Sequence, residues 1–201
     1  VYRRKDSFYQ RAKRAGLRSR AAYKLEALNL QFRLIRSGDR VLDLGAWPGG
    51  WSQVAAEAVG PRGKVVGIDL ASIKPFPSLP QVVLLKGDPS DPATIARLRE
   101  CLAGPADVVL SDMSPKLSGV RARDAAAALA LAELAVAIAL AVLRPGGTLL
   151  LKIFMSDDLP PLLDRLRRLF DDLRVTRPEA TRKGSAELYA IGKGFRSDSS
   201  R

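Results

Sequence analysis

Apolar and polar positions change rhythm about forty residues into the chain. Before that point apolar residues are scattered among basic ones, apart from a helix-spaced run, Ala21-Ala22-Tyr23-Lys24-Leu25-Glu26-Ala27-Leu28, which Ser19 is placed to cap. From there on, short runs rich in β-branched residues recur at Val41–Leu44, Lys64–Asp69, Val82–Lys86, Val108–Ser111, Thr148–Lys152 and Leu188–Gly192. Helix-length segments lie between them, at Gly50–Val59, Pro92–Cys101, Ala125–Leu143 and Leu159–Phe170. Strands alternating with helices predict an α/β domain built on a mainly parallel sheet. Leu173–Thr176 and Leu188–Gly192 bracket a basic loop with no helix between them, which predicts an antiparallel hairpin at the sheet edge. No internal repeat and no second domain is visible.

One segment is apolar enough to raise the question of a membrane. Eighteen of the nineteen residues from Ala125 to Leu143 are apolar, but ten of these are alanines and Glu133 sits among them. Alanine drives insertion weakly, so a buried core helix is the expectation, with no membrane partner.

Composition narrows the class. With 201 residues and 47% hydrophobic side chains, the chain is long enough for one well-buried core. The net charge of +12 is polarised: residues 1–40 carry a net +9, residues 41–176 are neutral, and residues 177–201 carry +3. A neutral body with two basic ends suits a polyanionic partner. There is no histidine, which removes a His general base, a Ser–His triad and a His-ligated metal. The single cysteine, Cys101, removes an internal disulfide and a multi-cysteine zinc site, so no metal site is expected. Cysteine usage fits a reducing, cytoplasmic compartment, and nothing near Val1 reads as a signal peptide.

The strongest local signal is Val41-Leu42-Asp43-Leu44-Gly45-Ala46-Trp47-Pro48-Gly49-Gly50-Trp51, a strand running through a glycine-rich turn into a helix. In an open α/β sheet such a turn lies at the carboxyl edge, where nucleotide ligands sit. The spacing is G-x-x-x-G-G, not the G-x-G-x-x-G of a dinucleotide site. Asp69 ends the second strand and suits two ribose hydroxyls; Asp88 follows the third and could accept from an adenine amino group. A nucleoside without phosphate, held by acids, fits S-adenosylmethionine better than NAD.

Four further charges fall at unusual places. Asp112 ends the fourth strand, Lys152 the fifth, Glu187 opens the last, and Lys24 lies within the N-terminal helix. Lys24 and Glu187 alone would pass for surface charges. Lys152 interrupts a nearly continuous apolar run, and must reach the sheet rim or meet a carboxylate.

These stretches resemble the FtsJ/RrmJ (RlmE) family of S-adenosylmethionine-dependent ribose 2′-O-methyltransferases of ribosomal RNA. The resemblance is carried, in order, by residues 16–25 (GLRSRAAYKL), 43–53 (DLGAWPGGWSQ), 111–115 (SDMSP), 143–147 (LRPGG), 152–154 (KIF) and 182–189 (RKGSAELY). It implies a Rossmann-like methyltransferase fold, a seven-stranded mainly parallel sheet with an antiparallel last strand and helices on both faces. It places the family's catalytic set on Lys24, Asp112, Lys152 and Glu187, and cofactor contacts on Gly45, Gly49, Trp51, Asp69, Asp88 and Asp112. Trp47 and Ser114 stand where the family usually has alanine, which bears on cofactor affinity.

The mechanism expected is in-line transfer of the sulfonium methyl to a ribose 2′-oxygen, of a uridine in large-subunit ribosomal RNA. Lys152 is the candidate general base; alternatively its charged form orients the 2′-oxygen. Arg3, Arg4, Lys5, Arg11, Lys13, Arg14, Arg18 and Arg20, extended by Arg182 and Lys183, are the expected phosphate contacts. The assembled large subunit is a candidate substrate, and a monomer is the expected state. The organisation expected is a basic extension and helix over residues 1–40 packed on a methyltransferase domain of 41–195, with 196–201 a disordered tail. Transfer RNA or another structured RNA is the alternative substrate. A ribosome-assembly factor that binds RNA without catalysis is the alternative class.

Overall fold

The first β-strand of the computed structural model, β1 (Arg40–Leu44), lies near the middle of a seven-stranded sheet and is the reference for everything around it. The structure describes residues 10, 12, 14–116, 118–178, 181 and 185–197. Around β1 run β2 (Lys64–Asp69), β3 (Val82–Lys86), β4 (Ala106–Ser111), β5 (Leu143–Phe154), β6 (Phe170–Thr176) and β7 (Glu187–Phe195). Their order is β3-β2-β1-β4-β5-β7-β6, and β7 alone runs opposite to the other six strands. The predicted hairpin is present, with β6 as the edge strand and β7 inserted beside β5. Because β1 feeds β2 on one side and neighbours β4 on the other, the chain reverses its direction of travel there, leaving a crevice at the carboxyl ends.

Strand alternation assigns the two faces. Val41, Val65, Val108, Leu110, Leu150, Tyr189 and Ile191 meet helices α1 (Ala22–Phe32) and α2 (Gly50–Val59) on one face. Leu42, Leu44, Val66, Ile68, Val109, Leu149 and Leu151 meet α3 (Pro92–Leu102), α4 (Arg121–Val142) and α5 (Leu159–Leu169) on the other. Both faces are therefore covered, as a mainly parallel sheet requires. Local signals set the helix ends: Asp91 accepts the Ala93 N–H at 3.1 Å and Pro92 opens α3. Leu159, Leu162 and Leu166 give α5 its buried stripe.

Three expectations are corrected. Ser19 does not cap α1 with its side chain; its carbonyl accepts the Ala22 N–H at 3.2 Å, and its hydroxyl packs against Gly50 instead. The alanine-rich helix α4 starts at Arg121, and only its C-terminal half is buried, through Ala132, Ala135, Val136, Ile138, Ala139 and Val142. Alanines fill its first turns, and they line an open groove. Arg196 does not belong to a loose tail, since it donates to Asp171 Oδ1 at 2.7 Å and its N–H reaches the Leu169 carbonyl; residues 198–201 lie outside the described residues.

Candidate active site

The α1/α2 face of the sheet turns from apolar to charged at the carboxyl edge, following the strand period of two. Val108 and Leu110 lead to Asp112, Leu150 leads to Lys152, and on the reversed β7 Ile191 and Tyr189 lead back to Glu187. Reversal of β7 is what brings the first residue of one strand to the same rim as the last residues of the others. Lys24 reaches this rim from α1, where it takes a buried position beside Leu25 and Leu28.

The four charges form one network. Lys152 Nζ lies 2.9 Å from Asp112 Oδ1, 3.2 Å from the Asp112 carbonyl oxygen and 3.9 Å from Glu187 Oε2. Lys24 Nζ lies 2.5 Å from Glu187 Oε1. Side-chain exposure is 7% for Lys152, 8% for Lys24, 12% for Glu187 and 17% for Asp112, so each charge depends on its partners rather than on bulk water. Two cations and two carboxylates balance, and the acceptors around Lys152 suit its ammonium form.

Tyr189 is the member that the sequence reading missed. Its hydroxyl donates to Asp112 Oδ1 at 2.8 Å and accepts from Lys24 Nζ at 3.4 Å. Burial, then the Asp112 and Glu187 charges, push its pKa well above the ordinary tyrosine value, so it stays a hydrogen-bond donor at any working pH. An aromatic residue in an apolar strand resembles ordinary core. Only its position opposite Lys152 in the β5–β7 pairing reveals the second role.

Asp43 is a further buried acid. It is fully buried under α2, and Ser52 Oγ donates to its Oδ2 at 2.6 Å while Oδ1 has no partner among the described residues. Ser52 finds room because residue 67 is glycine: a Cβ there would lie 2.8 Å from its Oγ. Desolvation above all, with Asp112 and Asp69 nearby, raises the Asp43 pKa to about 7.

Beside the charged set lies a cavity of about 350 Å³, lined by Gly45, Trp47, Asp69, Asp88, Asp112 and Ser114 among others. It stands at the β1–β2–β4 crevice that the topology predicts. Gly45 has a φ of 75°, and a Cβ there would come within 2.8 Å of Met113 Cγ, so only glycine suits this wall. Asp69 is fixed by backbone: Oδ2 accepts the Trp47 N–H at 3.0 Å and Oδ1 the Ala71 N–H at 2.8 Å. Asp88 Oδ1 accepts from the Ser90 hydroxyl and N–H, which lowers the carboxyl pKa and keeps it charged. Trp47 is 59% exposed, placing the departure from alanine at the cavity mouth.

Of the expected cofactor contacts, Gly45, Asp69, Asp88 and Asp112 line this cavity, whereas Gly49 and Trp51 do not. Trp51 is 3% exposed; its indole N–H donates to the Ala21 carbonyl at 2.8 Å and its ring leans on Tyr189. It supports the charged set from below. Gly49 caps α2 with a φ of 111°, under Phe76 and Arg18. Of the expected RNA contacts, Arg14 is exposed, Arg20 is half-buried, and the half-buried Arg18 donates to the Lys74 and Pro75 carbonyls. Arg3, Arg4, Lys5, Arg11, Lys13, Arg182 and Lys183 lie outside the described residues.

Comparison with known proteins agrees with this architecture. The family described as FtsJ-like methyltransferase matches residues 17–195. A ribosomal RNA large subunit methyltransferase E from Myxococcus xanthus is 45% identical over 194 residues, covering 95% of this chain and 89% of that protein. The protein of the same name from Methanothermobacter thermautotrophicus is also 45% identical, covering 96% of this chain and 92% of the relative. Among solved structures, a protein assigned as a ribosomal RNA methyltransferase from Plasmodium falciparum superposes with a TM-score of 0.76 at 26% identity, over 89% of this chain and 98% of that one. Fibrillarin from Aeropyrum pernix, at 19% identity and a TM-score of 0.55, shares the fold. A crevice at the carboxyl edge, a glycine loop and relatives matched along nearly their whole length lead to one assignment: the chain belongs to the FtsJ-like methyltransferase family.

Proposed function

We propose that this protein transfers a methyl group from S-adenosylmethionine to a ribose 2′-hydroxyl, of a uridine, in large-subunit ribosomal RNA. The observation that carries the reading is the convergence of Lys24, Asp112, Lys152 and Glu187 beside a cavity whose walls suit a nucleoside. The cavity fits the cofactor: it falls in the range of ligand pockets, offers carboxylates rather than a phosphate cradle, and lets a backbone approach closely at Gly45. Asp69 would take the ribose hydroxyls, Asp88 the adenine amino group, and Asp112 joins the cavity to the charged set. Bound there, the cofactor supplies a methyl on an already activated sulfonium.

What remains for the protein is alignment and one proton. Asp112 and Glu187 hold Lys152 Nζ, Lys24 holds Glu187, and Tyr189 holds Asp112, so Lys152 has little freedom. From that position Lys152 orients the 2′-oxygen and, once its ammonium has released a proton to solvent, its free amine takes the proton of the 2′-hydroxyl. The substrate would enter through the broad groove of about 940 Å³ that Phe154 and Ala186 border, next to Lys152 and Glu187. The ribosomal substrate rests on the names of the full-length relatives, and an assembled subunit is the form in which we expect it.

Labelled adenosylmethionine offered with unmodified large subunits, free large-subunit RNA and bulk transfer RNA tests the reading. Label in ribosomal RNA that vanishes with Lys152→Met supports it. Label confined to transfer RNA keeps the chemistry and removes the substrate, and cofactor binding without transfer to any RNA removes the enzymatic reading.

A further inference from the structure

We infer that Arg18 is a positioning residue of the cofactor site, clipping the segment that follows Asp69 over the glycine loop, and is not a phosphate contact. The inference rests on the reading that the cofactor occupies the cavity at Gly45 and Asp69.

Arg18 comes from the basic N-terminal region, yet its guanidinium is consumed within the fold. Its carbon centre lies 3.3 Å from the centroid of the Phe76 ring. One terminal nitrogen donates to the Lys74 carbonyl, and the other donates to the Pro75 carbonyl at 2.5 Å. A planar fork that binds two successive carbonyls while its face covers a ring has a geometry lysine cannot reproduce. Partial burial lowers the guanidinium pKa.

The backbone of the same residue is fastened to the opposite wall. Arg18 N–H donates to Gln53 Oε1 at 3.3 Å, and Gln53 Nε2 donates to the Gly16 carbonyl at 3.3 Å. Gln53 lies in the first turn of α2, directly after the loop that carries Gly49. The clip bears on that loop: a Cβ at Gly49 would lie 2.9 Å from Phe76 Cζ and 3.0 Å from Arg18 Cδ. Asp69 ties together the same two walls, through Trp47 on the loop and Ala71 on the segment leading to Phe76. Arg18 and Phe76 therefore hold the gap across which Asp69 must meet the ribose. To reach a phosphate, Arg18 would have to give up the ring and both carbonyls.

Adenosylmethionine binding by calorimetry, cofactor KM and kcat, and RNA binding over a salt series separate the two roles in wild type, Arg18→Lys, Arg18→Gln and Phe76→Leu. The clip predicts that all three variants raise the cofactor Kd about tenfold, that KM changes more than kcat, and that Arg18→Gln leaves the salt slope of RNA binding as in wild type. A phosphate contact predicts a slope reduced by about 1 in Arg18→Gln and no effect of Phe76→Leu, which would overturn the inference. Asp69→Ala separates the two levels. If it leaves cofactor affinity intact, the proposed cofactor site falls and the clip with it; if it weakens affinity while Arg18→Lys does not, only the clip falls.

Discussion

The charged set and the acid-lined cavity meet at Asp112, but different parts of the chain hold them. Around Lys152 the side chains hold one another, in contacts that cross α1, β5, β7 and the end of β4. Around the cavity, Asp69 and Asp88 are held by neighbouring N–H groups within a few residues or across one loop. The first arrangement fixes the Lys152 nitrogen through partners on several elements, and loss of one of its charges is expected to disable it. The second is expected to answer the loss of a member with weaker cofactor binding.

Breaking the first region has the largest expected effect. Lys152→Met removes the group proposed to act on the 2′-hydroxyl, and kcat should fall about 10³–10⁴-fold. Cofactor Kd, measured by calorimetry, should stay within about threefold. Equal losses in both would mean that the two regions are one.

Asp43 tests what lies between them, since it senses both Asp112 and Asp69. Its folded pKa of about 7 exceeds the ordinary value of 3.8, so the folded state binds the proton more tightly than the unfolded chain. Its favourable contribution is complete below about pH 4 and is lost as pH rises through 7, on the order of 4 kcal/mol over the window. Urea midpoints at several pH values should fall across that window in wild type and much less in Asp43→Asn. Identical slopes would remove Asp43 as the cause.

Asp69→Ala breaks the second region alone. Cofactor Kd should rise about 10–100-fold, roughly 1.4–2.7 kcal/mol, with a smaller change in kcat at saturating cofactor. The smallest effect sharpens the comparison: Tyr189→Phe keeps the ring against Trp51 and removes one donor to Asp112. About 1 kcal/mol, or a fivefold to tenfold loss in kcat, is expected, with no change in cofactor Kd.

Much of the fold is legible in the pattern. Bounds of β2, β3 and α2 match the apolar runs to the residue, because glycine and proline delimit them sharply. Strand β5 extends beyond its apolar run in both directions, since Pro145-Gly146-Gly147 reads as a turn but continues the strand through an irregularity against β4. At the site, Lys152 declared itself by interrupting an apolar run, whereas Lys24 and Glu187 depended on the family resemblance. Tyr189 and Asp43 were hidden for a shared reason: their partners are remote in sequence or lie across a helix, and burial disguises one as core and the other as part of a loop motif. The inferred role of Arg18 was equally hidden, because a cation in a basic stretch shows nothing of the ring and carbonyls 56 to 58 residues away.

The reversed last strand has a consequence for how the chain finds its fold. Facing Lys152 with Tyr189 and Phe154 with Glu187 requires one alignment of β7 along β5. A slip by one residue would turn Glu187 and Tyr189 to the opposite side of the sheet, leaving Lys24 buried without its anion and Lys152 with Asp112 alone. A slip by two would keep the side but carry the carboxylate about 7 Å along the strand, out of reach of either ammonium. The reactive charges thus penalise every near-miss pairing of the hairpin that delivers them, and the chemistry of the site also proofreads the assembly of the sheet.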